Sequence, residues 1–165
     1  MSLRLHFLRH GQTPHSRDDR FCGSSDPDLT DDGRAMAAAI AEALEREPFA
    51  AIYSSPLRRA RETAEILAAA YDSPSLETVE PLSPGSPPAA LMPWLARHDT
   101  DATVAVVGHE PHLSGLVSWL AAGSPRPWLE LSKGGACLLE VEKAAARGAT
   151  LVWLLDARTL RRLRR

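Results

Sequence analysis

The chain has 165 residues, of which 44% are hydrophobic and 24% charged, and its 19 basic and 21 acidic residues leave a net charge of −2. These values are typical of one globular domain and exclude a collagen-like, mucin-like or wholly disordered protein. We therefore predict a single domain over residues 1–165. The nearly balanced charge indicates neither a nucleic-acid partner nor an anionic membrane surface.

The N-terminal residues indicate where in the cell the protein is expected. The opening MSLRLHFLRH carries arginines and histidines where a signal peptide would need an unbroken apolar run. No apolar stretch approaches the roughly 18–20 residues of a membrane span. We expect a cytoplasmic protein. The two cysteines, Cys22 and Cys137, form no CxxC pair, which disfavours both a disulfide framework and a cysteine zinc site.

Hydrophobic patterning predicts strands and helices in alternation. The predicted strands cover 3–8, 49–53, 102–109, 136–141 and 150–155, and the predicted helices cover 29–44, 54–71, 88–98 and 111–122. We expect Thr30 to cap the first helix and Ser55 the second, and Gly123 to end the fourth. Proline-rich residues 72–88 are expected to be irregular. Three strand–helix pairs followed by two strands predict an α/β fold with a mainly parallel sheet whose last two strands can form a hairpin.

Polar residues follow three of the predicted strands. The first strand ends in Arg9-His10-Gly11, the second in Ser54-Ser55-Pro56 and the third in Gly108-His109-Glu110. Ligands of α/β sheets bind beyond the carboxyl ends of the strands, so we expect these residues to meet at one edge. The second helix adds three arginines in its first turn, Arg58, Arg59 and Arg61. Histidines, arginines and free backbone N–H groups together predict a pocket for a phosphoryl group.

Three motifs carry a family resemblance. LRHGQT, SSPLRRARETA and VGHEP, in this order and spacing, resemble the histidine phosphatase superfamily, which includes the cofactor-dependent phosphoglycerate mutases. The small size and the stretches VEPLSPG and VVGHEPHLSGLVSWL are most similar to the SixA-type protein phosphohistidine phosphatases. The resemblance covers nearly the whole chain. It implies a three-layer α/β/α sandwich like that of phosphoglycerate mutase, and phosphatase activity.

The resemblance also implies roles for four residues. His10 would be the nucleophile that forms a phosphohistidine intermediate. Arg9 and Arg59 would hold the non-bridging oxygens, with His109 as a further donor. Arg59 is preferred over Arg58 because the family's arginine stands directly before an alanine. The arginines supply the positive charge, so the resemblance implies neither a metal nor a cofactor.

Further site residues follow less directly. Many members carry an asparagine six residues after the catalytic histidine; here the position is Ser16, a candidate for binding the phosphate along with Gly11 and Arg20. Many also carry a glutamate after the second long helix that protonates the leaving oxygen. Glu80 is the candidate for this acid and Glu77 is the alternative.

Three functions remain open at this point. The first is a phosphatase that works through phosphohistidine and removes phosphate from protein phosphohistidine. The second is a small-molecule phosphomonoesterase or mutase acting on sugar or nucleotide phosphates. The third is a catalytically dead phosphate-binding module. The expected partner is a phosphorylated protein or a small phosphorylated metabolite, with no nucleic acid and no membrane.

Other histidines and the basic tail have simpler interpretations. His6 is expected to be a surface or hydrogen-bonded histidine. The spacing of His109 and His112 resembles a metal-ligand pair, but Pro111 and the lack of a further ligand nearby disfavour a metal site. The tail holds five arginines that could meet an anionic partner, although a solvated helix end is the preferred interpretation. These are Arg158, Arg161, Arg162, Arg164 and Arg165.

Overall fold

The computed structural model describes residues 2–14, 26–44, 47–71 and 75–163. The strands are β1 (Leu3–Arg9), β2 (Phe49–Ser54), β3 (Ser75–Thr78), β4 (Thr103–Gly108), β5 (Ala136–Val141) and β6 (Ala149–Leu155). The α-helices are α1 (Asp31–Ala43), α2 (Arg58–Ala69), α3 (Met92–Leu95), α4 (His112–Ala122) and α5 (Ala157–Leu163). Two short 3-10 helices cover Glu80–Leu82 and Pro88–Leu91.

The strands form one sheet in the order β3-β2-β4-β1-β5-β6. The first four of these run parallel to one another, whereas β5 is antiparallel to β1 and β6 is antiparallel to β5. The predicted mainly parallel sheet with a final hairpin is confirmed. The carboxyl ends of β1, β2 and β4 therefore share one edge, where β5 begins beside Leu8.

Side chains of the central strands alternate between two cores, as the two-residue period of a strand requires. Leu5 and Phe7 of β1 pack with α3 and α4 on one face, and Leu8 packs with α1, α2 and α5 on the other. The result is the expected α/β/α sandwich. Within the described residues, no helix is both long and apolar enough to cross a bilayer.

Strand β3 was not predicted. The proline-rich stretch was expected to be irregular, yet Ser75–Thr78 pairs in parallel with Ala51–Ser54. All four of its residues are exposed, so there is no buried face to produce an apolar alternation in the sequence. An edge strand of this kind forms because β2 offers unpaired backbone groups, which is information that only the folded chain contains.

Helix ends were predicted in part. Thr30 caps α1 as expected, since its hydroxyl accepts the Gly33 N–H at 3.0 Å, and Gly123 ends α4 with φ 86°. The predicted start of the second helix was wrong, because α2 begins at Arg58 after an N-cap, Leu57, that makes no side-chain capping bond. The Ser55 hydroxyl has a different partner, His109, which lies in the site.

Candidate active site

Four of the predicted side chains meet at the carboxyl edge of the sheet. Arg9 is the last residue of β1, His10 follows it, Arg59 lies in the first turn of α2, and His109 follows β4. Their exposed fractions are only 7%, 2%, 4% and 3%, respectively. Burying charged and polar groups costs free energy unless they find partners. We call these four residues the polar cluster.

The imidazole of His10 is held in one tautomer. Its Nδ1 lies 2.7 Å from the carbonyl oxygen of Gly11, and a carbonyl can only accept, so Nδ1 carries the proton. Nε2 accepts a hydrogen bond from Nε of Arg59 at 3.3 Å. The ring is therefore neutral, with the lone pair on Nε2 facing a guanidinium. This is the form in which an imidazole acts as a nucleophile.

The tautomer of His109 follows from Ser55. The Ser55 hydroxyl oxygen accepts the Leu57 N–H at 3.3 Å and lies 2.7 Å from Nε2 of His109. The hydroxyl proton is free to donate to Nε2, and in that arrangement the ring proton lies on Nδ1. Nδ1 is buried and has no hydrogen-bond partner among the described residues. A buried donor of this kind needs an acceptor, and a phosphoryl oxygen would supply one.

The environment keeps His109 neutral. Burial is the main cause that lowers its pKa from 6.5 to about 2, and the positive charge of Arg59 acts in the same direction. The two histidine rings lie 5.2 Å apart between centroids. A neutral imidazole that donates from Nδ1 adds a hydrogen bond to the positive charge of the two arginines. The polar cluster is therefore complementary to an anion with several acceptor oxygens.

A carboxylate that the sequence analysis quoted without a role organises the Arg9 side of the cluster. Glu110 accepts backbone N–H groups from Ser114 at 2.8 Å and from Leu131 at 3.3 Å. The carbonyl of Leu131 in turn accepts from Nη1 of Arg9 at 2.9 Å. Burial raises the pKa of Glu110, against the two N–H bonds that favour the carboxylate. The sequence signal that could have pointed to Glu110 is its position just before α4, where a carboxylate can accept the free N–H groups of the helix.

Ser55 is the second residue whose role was missed. It is fully buried, although its place before the second helix predicted a capping role. Nothing local in the motif SSPLRR distinguishes a capping serine from one that orients a histidine 54 residues away. Only the pairing of β2 with β4 brings the ends of these strands together.

A hollow of about 400 Å³ lies beside Arg9. Its lining consists of Arg9, Glu110, Pro111, Ser114, Pro127, Leu129 and Glu130. A proline-rich groove of about 360 Å³ continues from it, since Glu110, Pro111 and Pro127 line both. A ligand bound at the polar cluster would thus have room to extend on this side.

The remaining predicted residues are placed differently. The N–H of Gly11 donates to Thr63 at 3.3 Å, and a Cβ at position 11 would lie 2.4 Å from the carbonyl oxygen of Gly33. Close backbone packing therefore requires this glycine, while its role toward a substrate stays a prediction. Ser16 and Arg20 lie outside the described residues.

Neither predicted acid belongs to the polar cluster. Glu80 begins a 3-10 helix and is exposed, and its carboxylate accepts a hydrogen bond from the Ser83 hydroxyl at 3.2 Å. Glu77 is exposed in β3. The role of Glu80 as the acid stays a prediction.

Across the described ranges, no three or more His, Cys, Asp or Glu side chains are grouped as a metal site requires. Nε2 of His112 lies 2.9 Å from the carbonyl oxygen of Ser86.

Comparisons with known proteins identify the family. The sequence profile of the histidine phosphatase superfamily (branch 1) matches residues 5–83. A glucosyl-3-phosphoglycerate phosphatase of Mycolicibacterium vanbaalenii is 34% identical over 160 residues, which cover 80% of this chain and 69% of the relative. An uncharacterized protein of Picosynechococcus is 34% identical over 149 residues, 88% of each chain. The chain belongs to the histidine phosphatase superfamily. This confirms the resemblance stated from the motifs and supports a phosphatase enzyme.

Solved structures show the same fold. The protein histidine phosphatase SixA, in complex with tungstate, superposes with a TM-score of 0.78 at 21% identity, covering 95% of this chain and 99% of SixA. Phosphoserine phosphatase of Entamoeba histolytica, in complex with 3-phosphoglyceric acid, gives 0.74 at 19% identity, covering 96% and 99%. The histidine phosphatase fold thus extends over nearly the whole chain.

Proposed function

We propose that this histidine phosphatase transfers a phosphoryl group from its substrate to Nε2 of His10 and then to water. The observation that carries the proposal is the state of His10. Its proton is held on Nδ1 by the Gly11 carbonyl, and its Nε2 lone pair lies beside the guanidinium of Arg59. Arg9, Arg59 and His109 would stabilise the charge on the three equatorial oxygens.

With a phosphohistidine substrate the proposed reaction has two steps. The Nε2–P bond to His10 forms as the P–N bond of the substrate breaks, and the departing imidazole takes a proton from solvent. A water molecule then attacks phosphorus, the Nε2–P bond breaks, and inorganic phosphate leaves while the water gives up a proton to solvent. Because Arg9 and Arg59 already supply positive charge, neither step calls for a metal ion.

The proposed substrate class is protein phosphohistidine. An imidazole leaves with a conjugate-acid pKa near about 6.5, whereas an alkoxide resembles water at roughly 15.7. An alkyl phosphate therefore needs a well-placed acid, and both predicted acids are exposed and outside the polar cluster. A leaving group that needs little protonation suits this site better.

A second candidate is a small-molecule phosphomonoesterase acting on sugar phosphates. The name of the Mycolicibacterium relative favours it, because that protein is a glucosyl-3-phosphoglycerate phosphatase at 34% identity. The third possibility from the sequence, a phosphate-binding module without activity, is disfavoured because the chain retains a nucleophile in its reactive tautomer.

A substrate panel tests the proposal. We expect kcat/KM to be higher for a phosphohistidine-bearing protein than for glucosyl-3-phosphoglycerate, nucleotide monophosphates or phosphoserine. Glu80→Gln should slow the alkyl phosphates more than phosphohistidine, and Glu77→Gln tests the alternative acid by the same comparison. Sugar-phosphate turnover near the diffusional ceiling, with phosphohistidine protein untouched, would establish the small-molecule function instead.

A further inference from the structure

Three of the five tail arginines lie within the described residues. Arg158, Arg161 and Arg162 are exposed on α5. They line one side of a surface groove of about 720 Å³, which we call the basic groove. Its other lining residues are Met36, Ser132, Lys133, Asp156 and Ala157.

The basic groove lies at the active edge of the sheet. Because β6 is antiparallel to β5, and β5 to β1, the carboxyl end of β6 lies at the same edge as His10. The N–H of Gly134 donates to the carbonyl of His10 at 3.1 Å. The N–H of Ala157 lies 3.4 Å from the Ser132 hydroxyl. The segment 132–134 therefore connects the nucleophile directly to the wall of the groove.

The charge of the basic groove is one-sided. Four cationic side chains face one carboxylate, Asp156, among its lining residues. Asp156 accepts the Thr159 N–H through its Oδ1 at 2.7 Å and offsets part of the charge of Arg158 and Arg162, so the cations stay in excess. Glu130 lies in a neighbouring hollow. In a chain whose net charge is −2, this is a local positive field beside the site, and such a field attracts and orients anionic partners.

Helix α5 and the neighbouring strand β6 also expose apolar side chains. Val152, Leu154 and Leu163 on β6 and α5 are 47%, 40% and 56% exposed, and they account for three of the five large hydrophobic residues exposed among the described residues. Leu154 lines a hollow that shares Ser132 and Asp156 with the basic groove. Arginines beside apolar side chains are typical of protein interfaces, whereas a nucleic-acid backbone would need the charges alone.

We propose that the basic groove docks an acidic surface of the phosphorylated protein substrate and so selects that substrate at the binding step. The inference rests on the proposed phosphatase function. The groove is separate from the polar cluster, so it should act on the KM of a macromolecular substrate and leave the turnover of a small phosphate ester unchanged.

Two peptides and two variants test this. The peptides have equal length and one phosphohistidine, followed by four glutamates in one and four glutamines in the other. The test variant combines Arg158→Gln, Arg161→Gln and Arg162→Gln. The matched control combines Arg97→Gln, Lys143→Gln and Arg147→Gln, at the opposite end of the sheet, in the segments that precede β4 and join β5 to β6. p-Nitrophenyl phosphate serves as the small substrate.

For the wild type we expect kcat/KM to be about tenfold higher for the glutamate peptide at low ionic strength, equivalent to ~1.4 kcal/mol. The preference should disappear in the test variant and in roughly 1 M salt, and persist in the control variant. Both variants should hydrolyse p-nitrophenyl phosphate at the wild-type rate. A preference that survives in the test variant, or an equal loss on both substrates, would overturn the inference.

Binding separates this inference from the proposed activity. Fluorescence anisotropy of the two peptides, without phosphate, against His10→Ala protein should show tighter binding of the glutamate peptide, lost on adding the three arginine substitutions. If the wild type hydrolyses no phosphate ester or phosphohistidine while this binding holds, the proposed function fails and the docking surface stands. Tighter binding of a single-stranded oligonucleotide, or a dimer dissolved by the three substitutions, would refute docking of an acidic protein.

Discussion

Strand β1 carries a buried histidine in its middle, and a second buried histidine follows its end. The first lies among apolar side chains and the second among polar groups. His6 lies in the middle of the strand and is fully buried, with its ring in edge contact with Phe49 at 5.3 Å and Trp153 at 5.7 Å. Neither of its ring nitrogens has a hydrogen-bond partner within the described part of the chain. Four residues later, both nitrogens of His10 have partners.

The two environments have different consequences. Burial, and then the charge of Arg4, lower the pKa of His6 from 6.5 to about 4. The carboxylate of Glu47 lies 4.0 Å from its Nε2, at the limit of an ion pair, and does not offset this. The expectation that His6 would be exposed or hydrogen-bonded was wrong. A buried histidine is therefore not a site by itself, and only the end of the strand offers carbonyls, N–H groups and guanidinium groups to orient a ring.

The largest expected effect is that of His10→Ala. If the strand end is the catalytic region, turnover of p-nitrophenyl phosphate should be abolished, since the nucleophile is lost. The fold should persist because His10 follows the strand, outside both apolar cores. Acid-quenched wild type should retain an acid-labile, base-stable phosphate label that the variant lacks. Substantial activity in the variant would refute the covalent mechanism.

The next effect distinguishes two adjacent arginines. Arg59 is 4% exposed and bonded to His10, whereas Arg58 is exposed beside Asp28 at 3.4 Å. Arg59→Ala should lower kcat by about 10²–10³, the scale of one lost donor to the transition state. Arg58→Ala should change it less than about twofold, because an exposed ion pair contributes little. Equal losses would mean that the wrong arginine has been placed in the cluster.

A smaller effect tests the orientation of His109. Ser55→Ala removes the hydroxyl that fixes its tautomer, and we expect kcat/KM to fall about tenfold, the value of one hydrogen bond. Ser54→Ala is the matched control, because the Ser54 hydroxyl donates to the Ser55 carbonyl at 2.8 Å and not to the histidine. Steady-state kinetics on p-nitrophenyl phosphate would show this, and a Ser54 variant as slow as the Ser55 variant would argue for a purely structural role.

The smallest effect on activity is expected at His6. Its folded-state pKa lies below its unfolded value, so the unfolded chain binds more protons between about pH 6.5 and 4, and stability is lost as pH falls through this window. From pH 8 to pH 5 this loss amounts to about 2 kcal/mol.

His6→Leu should remove this part of the acid sensitivity and leave p-nitrophenyl phosphate turnover at pH 8 unchanged. Urea unfolding of both proteins at pH 8 and pH 5 measures the difference. Parallel pH dependences would show that His6 is not the titrating group, and a loss of turnover would extend the functional region to the middle of the strand.

Much of the polar cluster could be predicted from sequence, for a physical reason. Arg9-His10 and His109 each follow a short apolar run, and parallel strands bring such ends together whatever the details of packing. The motif around Arg59 then selected it over Arg58. In the same way, the order of strands and helices followed from periodicities that need only local sequence.

Other features depend on partners distant in sequence. The tautomer of His109 depends on Ser55, 54 residues earlier, and the hold on Arg9 depends on Leu131, 122 residues later. β3 exists because β2 has an open edge. The basic groove lies at the same edge of the sheet as His10 because β5 is antiparallel to β1 and β6 is antiparallel to β5. The residues of the site were thus determined by local sequence, whereas hydrogen-bond partners and neighbouring surfaces were decided by strand pairing, which no local pattern encodes.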